Sequence, residues 1–264
     1  VKGNQPSDGG HLCLSTTERN ELLEQSPEAR RFIKKYLGAA DLIQGKERFC
    51  LWIEDEYADE ALAIAAIADR LQLVRQMRLD AKAPTTRPAA NWPHRFIQIQ
   101  GVSNQHAIVL PRISSETREY LPGGLLDSDA ILSDQAFALY DAPIWNLAVA
   151  LSRIHLIWVS TVCGKMETRV RYSNTLGWNT FPVPKLTEQN KADLTRCAED
   201  ILLAREAHFP ATIADLYDPE KMPENLRHAH ERNDEVLERI YIGRRFKNDT
   251  ERLEKLFELY TRMT

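Results

Sequence analysis

The sequence predicts an α+β protein: a mixed α/β domain with an antiparallel sheet over residues 1–184, followed by an all-α helical domain over residues 185–264. Three observations carry this reading. Two strand-like stretches, Arg95 to Val102 and His106 to Ile113, flank a short Ser-Asn turn in the manner of a hairpin. The stiff, donor-poor segment Phe181-Pro182-Val183-Pro184 then marks a change of character. Beyond it, apolar residues recur only at helical spacing. A chain of 264 residues with 43% hydrophobic and 27% charged residues can bury a core, and no apolar run approaches the length needed to span a membrane.

Taken in order, Ser26-Pro27-Glu28 reads as an N-cap followed by Pro at the first helical position, predicting a helix through Phe32 and Ile33 to Gly38. Phe49 to Ile53 reads as a short buried strand. From Tyr57 to Arg78, Leu62, Ile64, Ile67, Leu71 and Val74 predict one long helix, approached by Glu54, Asp55, Glu56, Asp59 and Glu60. The prolines between Ala83 and Pro93 forbid regular structure there. Pro143 opens a helix carrying Leu147, Ala150, Leu151, Ile154 and Trp158 and closed by Gly164, and Met166 to Tyr172 reads as a strand. Three helices follow. They run over Thr187–Phe209 with Leu194, Cys197, Ala198, Ile201 and Leu202 inward, from Pro223 with Leu226, Ala229, Leu237 and Ile240, and from Asp249 with Leu253, Leu256, Phe257 and Tyr260.

A formal charge of −4 argues against nucleic-acid binding through bulk charge, but the distribution is uneven. Residues 70–122 hold eight basic side chains (Arg70, Arg75, Arg78, Lys82, Arg87, Arg95, Arg112, Arg118) against three acidic ones. Residues 153–171 add Arg153, Lys165, Arg169 and Arg171 against Glu167. A phosphate-facing surface is compatible with that split. The four cysteines form no Cys-x-x-Cys pair and suggest neither a zinc site nor a disulfide framework, which fits a cytoplasmic setting. The first residues lack a Met, a basic region and an apolar region, so no signal peptide is expected and the chain reads as an excised piece.

Catalytic patterns are missing. There is no Gly-rich nucleotide loop, no Gly-x-Ser-x-Gly and no His-Glu-x-x-His. His228 and His230, two apart on a helix, point in different directions and read as surface histidines, not metal ligands; Asp215 and Asp218 read as caps before Pro219. No catalytic residue and no metal site is expected.

The most informative segment is Lys165-Met166-Glu167-Thr168-Arg169-Val170-Arg171-Tyr172-Ser173-Asn174. As a strand it puts Glu167, Arg169 and Arg171 on one face and Thr168, Val170 and Tyr172 on the other. A carboxylate accepts from the amino group of cytosine, and a guanidinium bonds in bidentate fashion to the major-groove edge of guanine. The alternative is a solvated face with cross-strand ion pairs.

Several blocks resemble the C-terminal part of the MmeI-like, type IIL restriction-modification enzymes and their stand-alone DNA methyltransferase relatives. They include Pro6-Ser7-Asp8-Gly9-Gly10-His11-Leu12, Arg31-Phe32-Ile33-Lys34-Lys35-Tyr36-Leu37-Gly38, Gly45-Lys46-Glu47-Arg48-Phe49-Cys50-Leu51-Trp52 and Pro111-Arg112-Ile113-Ser114-Ser115-Glu116. Ser152-Arg153-Ile154-His155, Arg171-Tyr172-Ser173-Asn174, Asn179-Thr180-Phe181-Pro182 and Leu216-Tyr217-Asp218-Pro219 continue in the family's order. In that family a methyltransferase domain, which moves a methyl group from S-adenosylmethionine to the exocyclic amine of adenine, precedes a target-recognition domain and a helical C-terminal domain. This chain has neither the cofactor loop nor the catalytic motif. The resemblance therefore implies a module that is no enzyme alone, holds no cofactor, binds double-stranded DNA weakly and in a salt-sensitive way by itself, and works beside a methyltransferase domain.

The resemblance further implies that Glu167 and Arg169 read one base pair, and that Arg171 reads another with Gln135 as its partner and Asp134 alongside. Arg112, Ser114, Ser115 and Arg118 would contact the DNA backbone or groove edge, with strand-end capping and surface charge as the alternative. Lys82 and Arg87 would form a mobile phosphate clamp or a solvated loop. Trp178, before the Asn-x-Phe-Pro block, would pack the domain. A different class of function also fits: a scaffold whose amphipathic helices assemble the methyltransferase with little base reading.

Overall fold

The structure, a computed structural model describing residues 1–263, opens with β1 (Cys13–Leu14) and α1 (Thr16–Gln25). Ser15 starts α1: its hydroxyl accepts the Glu18 N–H, and the Glu18 carboxylate accepts the Ser15 N–H. That reciprocal bond and the Arg70 guanidinium hold the Glu18 carboxyl down at about 2. The helix expected from Pro27 to Gly38 is instead a 3-10 segment, Pro27–Phe32, followed by β2 (Ile33–Leu37). β2 is paired on both sides, antiparallel to Phe49–Leu51 and parallel to a later strand, Ala130–Leu132. Pairing that satisfies both rows of backbone polar groups overrides the local helix signal.

α2 (Ala39–Gln44) is bracketed by glycines: the Gly38 N–H donates to Asp41 Oδ2 at 2.8 Å, and Gly45 ends the helix at φ 63°. After β3 (Phe49–Leu51), the long helix predicted from Tyr57 to Arg78 forms in pieces. A 3-10 turn (Asp55–Tyr57) and α3 (Ala58–Leu62) are separated from α4 (Ala65–Leu79) by the extended residue Ile64. Ile67, Leu71 and Val74 point inward as their spacing requires.

Arg78, fully buried, donates to the carbonyls of Pro6, Ser7, Ala89, Trp92 and Arg95, and so ties the N-terminal segment to the Pro-rich loop and its 3-10 turn Arg87–Asn91. Arg95 to Val102 is not the strand that was expected. Its backbone is held by side chains: Arg78 takes the Arg95 carbonyl, and Asn4 Oδ1 accepts from the Gln100 N–H at 2.7 Å, leaving a single bridge between Gln5 and Gln98. With those groups satisfied, no hairpin forms with β4 (His106–Pro111).

β4 instead takes its neighbours from further along the chain. β5 (Ile113–Ser114), β6 (Gly124–Asp127), β7 (Ala130–Leu132) and β8 (Ala136–Tyr140) follow, and β4 lies antiparallel between β6 and β8. The helix predicted from Pro143 to Gly164 is α5 (Trp145–Ala150) and α6 (Arg153–Val162), divided where Ser152 caps α6 by accepting the His155 N–H. The strand predicted over Met166 to Tyr172 is a hairpin, β9 (Lys165–Met166) and β10 (Arg169–Arg171), followed by a π-helical turn over Asn174–Trp178. The sheets are β1-β3-β2-β7, β6-β4-β8 and β5-β10-β9.

The remaining helices are α7 (Glu188–Glu206), α8 (Ile213–Leu216), α9 (Glu224–Ile242) and α10 (Asp249–Met263). Their inward residues do not form a core of their own. Leu194, Ile201, Leu226, Leu237 and Leu256 pack in one cluster with Ile108, Leu147, Ile154 and Trp158 from before residue 184. A polar seam runs through this cluster. Tyr120 donates to Asp234 Oδ2 at 3.0 Å, the Arg153 N–H donates to Asp234 Oδ1 at 2.8 Å, and Tyr120 stacks on His230 with ring centroids 4.1 Å apart. His230, expected at the surface, is therefore buried, because its ring fills the space between Tyr120 and Tyr217.

His155 is the hub beneath the hairpin. Its Nδ1–H donates to the Ala150 carbonyl at 2.8 Å, Nε2 accepts from the Tyr172 hydroxyl at 3.3 Å, and Trp178 and Phe181 meet its ring edge-on. Burial pushes its pKa down to about 4 and lowers that of His230, while burial raises the Asp234 carboxyl to about 6. The unfolded chain thus takes up a proton on His155 near pH 6.5, where the folded protein refuses one. Stability present above pH 6.5 is lost toward pH 4, at about 1.4 kcal/mol per pH unit for one such group. Asp234 acts oppositely between its unfolded value of 3.8 and about 6, offsetting one of the two histidines. Urea unfolding at pH 7.0 and pH 5.0 should show the lower midpoint at pH 5.0; an equal or higher midpoint there would contradict this assignment.

Candidate nucleic-acid interface

The sheet β5-β10-β9 presents two faces set by register. Arg171 lies opposite Ile113 and Arg169 opposite Met166, while Val170 lies opposite both Ser114 and Lys165. Directly opposed residues of an antiparallel ladder share a face, so Ile113, Arg171, Arg169 and Met166 line one side. On the other side Val170 packs with Leu110, Leu121, Phe137 and Tyr172, which anchors the hairpin over His155.

The expected alternation thus holds from Arg169 to Tyr172 and fails before it. Glu167 and Thr168 make the two-residue turn between β9 and β10, with Glu167 at φ 60°, so neither belongs to a strand face. Glu167 and Arg169 still come together: Arg169 Nη2 donates to Glu167 Oε2 at 2.8 Å, an exposed ion pair at the hairpin tip. Thr168, expected on the face of Val170 and Tyr172, is exposed and donates to Glu116 Oε1 at 2.6 Å, tying the tip to the loop after β5.

Beside the hairpin lies a cleft of about 540 Å³. α2 forms one wall with Ala39, Ala40, Ile43 and Gln44; Pro111, Arg112, Ile113, Arg118, Gln135, Met166 and Arg171 complete it. The lining holds three guanidinium groups and no carboxylate. Arg171 is exposed and makes no side-chain hydrogen bond or ion pair among the described residues. Arg112 Nη1 donates to the Asp134 carbonyl at 3.0 Å, which fixes the turn carrying Gln135 against the bend between β4 and β5 that carries Arg112. Burial lowers the Arg118 pKa from its ordinary value, with Asp218 acting the other way, and a guanidinium stays charged throughout.

Gln135 and Arg171, distant in sequence, therefore face one space. Asp134 stands beside that space with its carboxylate 3.2 Å from Lys2 Nζ. Ser115 closes its own turn, its hydroxyl 2.9 Å from that of Thr117. Ser114 is a correction: it is 3% exposed and its Oγ has no partner among the described residues, because it lies opposite Val170 on the inner face. Lys82 and Arg87 are exposed but do not line the cleft, and Arg87 Nε donates to the Ala81 carbonyl at 2.9 Å.

Three of the eight basic residues read over 70–122 are taken up by partners within the protein. Arg70 pairs with Glu18, Arg95 pairs with Asp55, and Arg78 is buried among carbonyls. Arg112 and Arg118 of that stretch line the cleft, while Arg75, Lys82 and Arg87 stay exposed outside it. The reading of the sequence missed the α2 wall; its signal was the pair Gly38 and Gly45 around six residues that begin with two alanines. Among the described residues no group of three or more His, Cys, Asp or Glu could hold a metal, and no helix is long and apolar enough to cross a membrane. Guanidinia and an amide in a cleft whose lining includes no carboxylate suit phosphate oxygens and purine edges.

Residues 1–185 match the family described as MmeI, target recognition domain, and residues 186–264 match MmeI, C-terminal domain. DNA methyltransferase A of Bacillus subtilis (strain 168) is 37% identical over 262 residues, covering 99% of this chain and 30% of that protein. The structure of the type IIL restriction-modification enzyme MmeI in complex with DNA superposes with a TM-score of 0.93 at 29% identity, covering 99% of this chain and 35% of that one. The chain thus spans about a third of the length of these relatives.

Because the Ser114 hydroxyl is buried without a partner, Ser114→Ala should stabilise the fold or leave it unchanged, by up to about 1 kcal/mol, and leave DNA affinity unaltered. Denaturant unfolding and a binding titration check both; a large loss of affinity would return Ser114 to the contact surface.

Proposed function

The chain belongs to the family of MmeI target-recognition and C-terminal domains, and from that premise we propose that it is the DNA-reading part of a longer, adenine-specific, S-adenosylmethionine-dependent methyltransferase of a restriction-modification system. The observation that carries this is the cleft lined by Arg112, Arg118 and Arg171 without an acidic residue, with the Glu167–Arg169 pair at its edge. Residues 1–184 are the reading domain and residues 185–264 its helical brace. Methyl transfer and the cofactor belong to a domain outside this chain, which works beside it in the cytoplasm.

Docking on duplex DNA divides the labour by chemistry. Arg112, half-buried and held by the Asp134 carbonyl, and the half-buried Arg118 engage phosphates and fix orientation. Arg171, exposed and unpaired, has its fork of donors free for a guanine edge, with the Gln135 amide across the cleft. Glu167 and Arg169 form one unit: the carboxylate accepts from an amino group while the ion pair orients the guanidinium. Holding the duplex in this way lets the absent domain act on an adenine turned out of the stack.

Two measurements test the proposal. Exchanging the pair in the full-length protein, Glu167→Lys with Arg169→Asp, should change the base preference at one position of the mapped methylation site; unchanged preference with altered assembly supports the scaffold alternative instead. Arg118→Ala should weaken binding to all sequences alike and reduce the slope of log affinity against log salt by about one, whereas Arg171→Ala should relax one position at a cost of about 1–3 kcal/mol.

A further inference from the structure

The exposed face of β5-β10-β9 contains more than guanidinia. Met166 and Ile113, 43% and 39% exposed, are large apolar side chains on the same face as Arg169 and Arg171 and directly opposite them. Each also lines the cleft beside Arg171. We infer that Ile113 and Met166 are further specificity-determining residues that read the 5-methyl group of thymine in the major groove, next to the bases read by the arginines. This rests on the recognition function proposed above and deepens it.

Geometry and groove chemistry together make the assignment. Neighbouring strands lie about 4.8 Å apart, so β5 and β9 are about 10 Å apart, the axial length of about three base pairs. Ile113 on one outer strand flanks Arg171 and Met166 on the other flanks Arg169, each within reach of a base neighbouring the one its arginine reads. Among the base edges in the major groove, the thymine methyl is the apolar group, and apolar side chains are its natural partners. A wedge pushed between base steps would sit at the hairpin tip, but the tip is Glu167 and Thr168, polar and bonded to Arg169 and Glu116. Met166 instead stands inside the ladder, braced across it by Arg169.

Deleting a single methyl tests this without disturbing the protein. Methylation by the full-length protein is mapped first, and duplexes carrying that site are made with each thymine in turn replaced by uracil, within the site and one pair beyond it. At one or two positions uracil should weaken binding about fourfold, the factor expected for one buried methyl group. Met166→Ala or Ile113→Ala should bind thymine and uracil equally at the corresponding position; each variant serves as its own control because the readout is a ratio. Site-specific binding that tolerates uracil everywhere, or a mapped site with no thymine at these positions, overturns the inference and leaves the recognition function standing. Loss of assembly in Met166→Ala with no change in the thymine-to-uracil ratio would make this face a protein contact and also overturn it. Failure of the Glu167 and Arg169 exchange to alter preference would instead overturn the recognition function itself.

Discussion

The buried carboxylate of Asp234 is the constraint on which the arrangement of this molecule depends. A charge removed from water must be met by donors, and those donors come from outside its own helix: the Tyr120 hydroxyl and the Arg153 backbone. Tyr120 stands at the end of the segment that leaves β5 and carries Ser115 and Arg118. The same segment is held by Glu119 on Arg227 at 2.5 Å, and by the Gly123 carbonyl on Arg205 at 2.8 Å. Arg205 also donates to the Tyr217 hydroxyl, which donates in turn to His230 Nε2 at 2.6 Å. The C-terminal helices therefore fix the loop of the cleft directly, and the shared apolar cluster makes helices and sheet one packed body at this seam.

Charge follows the same logic of partners. A net −4 is an average over the whole chain, and what a ligand meets is decided by which guanidinia have been satisfied internally. Arg78 cross-links loops through five carbonyls and exposes nothing; Arg153 lies between Asp249 and the Asp234 seam. Three guanidinia with no carboxylate in the lining beside them, Arg112, Arg118 and Arg171, share one cleft with Gln135. A weakly acidic protein can in this way hold a strongly positive cleft.

Much of the helical half was legible because its apolar stripes are long: the inward faces of α7 and α9 follow the spacings of Leu194 to Ile201 and Leu226 to Leu237. The short elements were not. Ile33–Leu37 carries a helix-start signal just before it yet pairs as a strand on both sides, and Arg95–Val102 alternates like a strand yet is held by Asn4 and Arg78. The capping box at Ser15 and Glu18 was in plain view and would have placed α1. At the site, Arg169, Val170, Arg171 and Tyr172 kept their predicted faces, while Glu167 and Thr168 left theirs because the chain reverses there.

By itself, then, the sequence determined the class of fold, the helical period of the second half, the family blocks and the residue types able to read bases and hold phosphates. These are local or compositional properties, fixed by side-chain period and chemistry. Only the tertiary structure decided which arginines are free, that Ser114 is buried, that Glu167 meets Arg169 across a turn, and that Gln135 and Arg171 share a cleft with α2. Each of these depends on a partner distant in the chain, and no local pattern encodes which buried group will claim a given donor.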